Sequence, residues 1–265
     1  MHSQRIVVKR RAFLAVAGSM GTIGAVAYAT RSPVDRLTVR FWLSDGAADY
    51  VGIEATIQIY LECALDFEWW TVECSYGGVV DVSTEDGADV TRHGEWPAAL
   101  VAGRIGHRSI DPAEHVNLLV TDGQMRTAPT GYGIPHVASV GGARHLSKLE
   151  PPTSPPTIVP YTTPNRVVQV LLHEVGHALG LKHEHGLLYR DGDSEITTPM
   201  LSTYAWDPSA PYERSRCGTV YPEPDDVTRR RKLSLAFSIC ARDALESYRG
   251  GLSPPGRSDR RTTSG

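Results

Sequence analysis

The sequence predicts an α+β domain. Three observations carry that class: strand-like alternation at 37–45 followed by helical spacing at 51–67, two further extended runs at 116–122 and 136–142, and a long helix that opens near Asn165 only after those strands.

Each element has a local reason. LTVRFWLSD, residues 37–45, alternates at the period of a strand. VGIEATIQIYLECALDF, 51–67, places apolar residues at helical spacing, and the chain from Trp69 to Tyr76 returns to an extended pattern. VNLLVTD (116–122) and HVASVGG (136–142) read as strands. LEPPTSPPTIVPYTTP, 149–164, holds too many prolines for a regular element and reads as a rigid connector or a rim. The long helix starts near Asn165 because Pro164 suits a first helical turn. Residues Asp225 to Tyr248 have the length and periodicity of a closing helix, with Arg229, Arg230, Arg231 and Lys232 as its solvated start. GGLSPPGRSDRRTTSG, 250–265, reads as a disordered tail.

The amino terminus reads as an export signal, residues 1–29. A basic patch, an apolar run and small residues follow one another from Lys9 to Ala29. Arg10 and Arg11 followed by Phe13 and Leu14 resemble a twin-arginine signal, and Ala27 and Ala29 offer an A-x-A cleavage site. An uncleaved anchor is the alternative, since about 18 apolar residues is the lower edge of a bilayer span. The glycines in the run favour cleavage, after which no stable span is expected. Residues 30–249 then form one domain, expected to be monomeric, with a single core.

Losing residues 1–29 removes four basic residues and no acidic one, so the formal charge moves from −3 to −7. An acidic domain lacks the footprint that nucleic acid requires, which excludes that partner class. In an exported chain, Cys63, Cys74, Cys217 and Cys240 point to disulfides. Four cysteines allow three connectivities, and the sequence-local pairs Cys63–Cys74 and Cys217–Cys240 are favoured.

The chemistry sits in HEVGHALGLKH, residues 173–183, spaced HExxHxxGxxH. His173 and His177, four apart on a helix, present imidazoles on one face to a single cation. Gly180 lets the backbone leave the helix, so that His183 can enter as the third ligand. Three neutral imidazoles leave a fourth tetrahedral position to water, as in catalytic rather than closed zinc sites. Glu174 is the group placed to take a proton from zinc-bound water.

At these residues the sequence resembles the metzincin clan of zinc endopeptidases, which joins the long motif to a methionine turn beneath the metal. The subgroup stays open among astacin-, matrixin- and serralysin-like forms. The resemblance implies a metzincin-like fold: a mixed twisted sheet with the active-site helix in an upper subdomain, and a smaller lower subdomain ending in a C-terminal helix. It implies that Met200 packs under the imidazoles as structural support. Family turns often carry a Tyr two residues after the Met, where this chain has Ser202, so Tyr204 is the candidate oxyanion helper, or else an aromatic of the wall. The strand nearest the cleft is expected to lend its free edge to an extended substrate, with 136–142 either that strand or an ordinary interior one. Glu184 and His185 read as neighbours of the ligands rather than ligands. Residues 191–195, DGDSE, could hold a structural Ca²⁺, but the spacing is not an EF-hand loop and favours a solvated turn. A thiolate of Cys217 blocking zinc, as in matrixin propeptides, is the disfavoured alternative to its disulfide.

The expectation is therefore a secreted zinc endopeptidase that holds one catalytic Zn²⁺ and hydrolyses protein or peptide substrates, with Glu174 as the base. A zinc-containing binding module with vestigial catalysis, and a zinc hydrolase acting on a non-peptide substrate, are the alternatives.

Overall fold

The computed structural model describes residues 33–107, 109–124, 130–149, 157–202, 206, 217 and 230–250. The expected export signal and Tyr204 lie outside the described residues, as does the tail beyond Gly250.

Five strands form the larger sheet: β1 (Arg36–Ser44), β2 (Thr71–Val80), β3 (Val116–Val120), β4 (Gly131–Ile134) and β5 (Val137–Val140), in the order β2-β1-β3-β5-β4. All pairs are parallel except β4 with β5. Alternation in β1 sends Leu37, Val39, Phe41 and Leu43 to one face and Trp42 to the other, and all five are buried. Burial on both faces requires cover on both. On the Leu37 face lie helices α2 (Ile53–Leu65) and, later in the chain, α6 (Thr163–Ala178). On the Trp42 face lie α3 (Gly87–Arg92) and α4 (Glu95–Arg104), where Trp96 meets Trp42 edge to face at 5.1 Å.

Helix α2 buries Ile53, Ile57, Leu61 and Leu65, a four-residue repeat that makes one continuous apolar stripe. Leu61→Ala would cost about 2–5 kcal/mol, as truncations of buried leucines do. The single-turn helices α1 (Asp45–Ala48) and α5 (Ala143–Leu146) close the strand ends.

Four short strands make the second sheet: β6 (Ile158–Pro160), β7 (Leu188–Asp191), β8 (Ser194–Thr197) and β9 (Arg230–Ser234), in the order β6-β9-β8-β7. Helix α6 is the seam between the sheets. Its Val167, Leu171 and Val175 share one core with Leu118 of β3 and Leu233 of β9, and the side chain of buried Gln169 donates to Thr197 O at 2.8 Å and Ser234 O at 3.0 Å. Helix α7 (Ile239–Glu246) follows, with Ala241 and Leu245 in that core.

The observed class is thus mixed α/β with two mixed sheets, and four details depart from the expectations. Residues 137–140 are an interior strand, and the free edge belongs to β4. GYGI was not legible as a strand because its glycines carry no β propensity. The closing helix spans only Ile239–Glu246, while Arg230–Ser234 is a strand whose exposed end carries Arg230 and Arg231 and whose buried end carries Leu233 and Ser234. Within the proline-rich stretch, Ile158–Pro160 is a strand at the sheet edge, where a residue without N–H is tolerated. Finally, Cys217 is bonded to Cys240, but Cys63 and Cys74 are not bonded to each other. Cys63 sits on the exposed face of α2, whereas Cys74 packs against the core from β2, where burial pushes its thiol up to about 12. The bonded Cys217 has no thiolate to offer a metal. Among the described residues, no helix is long and apolar enough to cross a membrane.

Candidate metal centre

Helix α6 is buried along nearly its whole length because it lies between two sheets. Its first turn carries Pro164, and its C-terminal half presents His173 and His177, four apart, on one face. Gly180 ends it at φ +86°, in the left-handed region that glycine occupies without steric cost. Leu181 N then donates to Gly176 O at 2.8 Å and Gly180 N to His177 O at 2.9 Å, which satisfies the terminal carbonyls and reverses the chain. A single 3₁₀ turn, His183–His185, brings in the third histidine.

The three Nε2 atoms converge. They are separated by 3.0 Å (His173 to His177) and 3.2 Å (His183 to each of the others). His173 Nδ1 donates to Pro199 O at 2.7 Å and His177 Nδ1 donates to Leu181 O at 2.9 Å, which fixes both tautomers with Nε2 as a lone pair. Burial pushes His173 down to about 3, helped by the neighbouring His177 and opposed by the bond to Pro199 O; burial also lowers His177 and His183. Neutral imidazoles are the ligand form. Lone pairs aimed at one another at this spacing repel unless a cation lies among them. The donor set, three imidazole nitrogens, fits zinc.

Glu174 leaves α6 toward β4 and is 6% exposed. Burial pushes its carboxyl up to about 8, against a hydrogen bond from Gly133 N–H that favours the ionised form. The strand runs so close that a β-carbon on Gly131 would stand 2.6 Å from Glu174 Oε1, and one on Gly133 would stand 2.6 Å from His177 Cβ. The β4–β5 hairpin is also tied to the helix end: His136, at φ 70° in its turn, donates its N–H to Ala178 O at 2.9 Å.

Beneath the imidazoles runs the Thr198–Ser202 turn, closed by Ser202 N to Thr198 O at 2.9 Å. Its Pro199 orients His173, and Met200 is buried against Gly176. Glu184 is half-buried in the 3₁₀ turn, and His185 Nδ1 accepts from Lys182 N at 2.9 Å, so that ring is committed to the turn. Residues 191–195 form the tight β7–β8 hairpin, with Gly192 at φ +57°. Glu195 points inward there, accepting from Trp206 Nε1 at 3.2 Å.

The structure thus brings together His173, Glu174, His177, Gly180, His183 and Met200. Sequence reasoning missed Pro199, Gly131 and Gly133. The alternating glycines of GYG were the available signal, since a strand that spends two same-face positions on glycine is making room for something.

No protein-family model and no curated protein matches the chain. Among solved structures it is similar to an archaemetzincin of Methanopyrus kandleri, at 20% identity over 56% of this chain and 76% of that one, with a TM-score of 0.36. Likeness of that degree assigns no family.

Proposed function

We propose that the chain is a secreted zinc-dependent endopeptidase of metzincin type. The observation that carries the reading is the triangle of three imidazole nitrogens, 3.0–3.2 Å apart, with the Glu174 carboxylate rising from the helix that bears His173 and His177. His173, His177 and His183 would hold the ion, which supplies a Lewis acid that polarises a carbonyl and lowers the pKa of water.

The remaining work falls to the protein. Glu174 accepts a proton from the attacking water and passes it to the leaving amine as the C–N bond breaks. Its raised pKa keeps both protonation states within reach near neutrality, and a cation nearby draws the value back down. Strand β4 is an open edge beside Glu174, suited to pairing with an extended peptide backbone. Met200 and Gly176 support the ligands from below. Secretion rests on the signal-like residues 1–29.

Metal analysis of the purified protein, followed by cleavage of a peptide library, tests the reading. One zinc per chain and cleavage that Glu174→Gln abolishes while keeping the zinc are expected. Zinc without cleavage would leave a binding module, cleavage of non-peptide bonds alone would leave another hydrolase, and absence of zinc would overturn the reading.

A further inference from the structure

We infer that Ser238, at the N-terminus of α7, is a positioning residue for the third metal ligand: its hydroxyl donates to the carbonyl of His185 and so pins the His183–His185 turn. The inference rests on the reading of His183 as a ligand.

The three histidines come from different elements. His173 and His177 project from a buried helix, and each Nδ1 is bonded to a backbone carbonyl. His183 is exposed and belongs to a turn outside the helix. That turn is closed on itself: His185 N donates to Lys182 O at 3.0 Å, Gly186 N to His183 O at 2.8 Å, and Lys182 N to His185 Nδ1 at 2.9 Å. A unit so closed moves as one piece, so a bond to the His185 carbonyl also governs where His183 sits.

Ser238 makes that bond from a firm base. It is buried, and its oxygen accepts from Ala241 N at 3.1 Å as the cap of α7 while its one proton goes to His185 O. Helix α7 is anchored by Ala241 and Leu245 in the main core. It is anchored again by the Cys217–Cys240 disulfide, whose Cys217 Sγ accepts from Cys240 N at 3.2 Å and lies 3.5 Å from Ser238 Oγ. The C-terminal helix thus reaches the metal centre through one hydroxyl proton.

The cap and the donor are separable by mutation. Ser238→Asp keeps a capping oxygen but has no proton for His185 O, Ser238→Ala removes both, and Ser238→Thr keeps both. Zinc affinity is measured on the full chain by competition with a chelator, and the visible spectrum of the cobalt-loaded protein reports the ligand geometry. Asp and Ala should weaken zinc about tenfold or more, the usual range for losing a group that orients a ligand, with altered cobalt bands, while Thr restores both. In a His183→Ala background, Ser238→Ala should cost no further affinity, whereas a merely structural role would still cost it. Wild-type affinity in Ser238→Asp or Ser238→Ala, with zinc bound normally by the parent, overturns this inference alone. A parent chain that holds no zinc overturns the metal reading and the inference together.

Discussion

Met200 occupies the space that a β-carbon on Gly176 would need: such a carbon would stand 2.3 Å from Met200 Sδ and 3.3 Å from Phe237 Cε1. Gly176 lies between His173 and His177, so the thioether is pressed against the helix at the level of those two imidazoles. In an exposed helix interior, Gly→Ala stabilises by up to about 1 kcal/mol. Here the sign should reverse. Gly176→Ala is expected to destabilise by about 1–3 kcal/mol through overpacking and to weaken metal binding as Met200 is displaced. Thermal unfolding and chelator competition measure both, and an alanine variant more stable than the parent would remove Met200 from its supporting role.

Gly133 faces a similar constraint from the other side. A β-carbon there would meet Glu174 O at 2.5 Å and His177 Cβ at 2.6 Å, neither of which is the far end of a flexible side chain. Gly133→Ala should push β4 away from α6 and break the Gly133 N–H bond to the Glu174 carboxylate. The expected result is a fall in kcat of tenfold or more, with a loss of stability of about 1–3 kcal/mol. Parent-like turnover would show that β4 does not fix Glu174.

What the sequence disclosed and what it hid follow from the range of the interactions. HExxHxxGxxH was legible because a helix and one left-handed glycine determine where its side chains go. The strand at 37–45 and the helix at 51–67 were legible because their apolar periodicity is local. Strand β4 was not, because its glycines answer to α6, some forty residues later in the chain. The second sheet was hidden for the same reason: Arg230–Ser234 is a strand only because β6 and β8 flank it. Its basic residues, read locally, suit a solvated helix equally well. The pairing of Cys217 with Cys240 was the one sequence-local disulfide that formed, since Cys63 and Cys74 are near in sequence but differ in depth.

The cysteines yield a labelling pattern. A thiol with a pKa of about 12 is thiolate in roughly one molecule in ten thousand at pH 8, and Cys74 is also partly buried. Iodoacetamide should therefore label Cys63 alone in the folded protein, and slowly, since burial and nearby acidic residues raise that thiol too. Cys74 should join it on unfolding in urea, and Cys217 and Cys240 only after reduction. Intact-mass measurement counts the adducts, and absence of free thiols in the unreduced, unfolded chain would restore a second disulfide.

Stability against pH offers a test of the burial of Glu174 that does not depend on turnover. In the metal-free protein its carboxyl is pushed up to about 8, so the folded state holds the proton more tightly than the unfolded chain does. The favourable contribution of the protonated form is complete below the unfolded value of about 4.5 and is lost as pH rises through about 8. Glu174→Gln, neutral throughout, lacks that dependence. His173, His177 and His183, all three lowered, cost stability below about pH 6.5 in both proteins and cancel in the difference. Urea midpoints of the metal-free proteins should thus diverge from pH 5 to pH 8, the parent losing on the order of 1–3 kcal/mol relative to Glu174→Gln. Zinc should flatten the divergence, because a cation beside the carboxylate stabilises its ionised form. Parallel curves without metal would mean that Glu174 is hydrated rather than enclosed between α6 and β4.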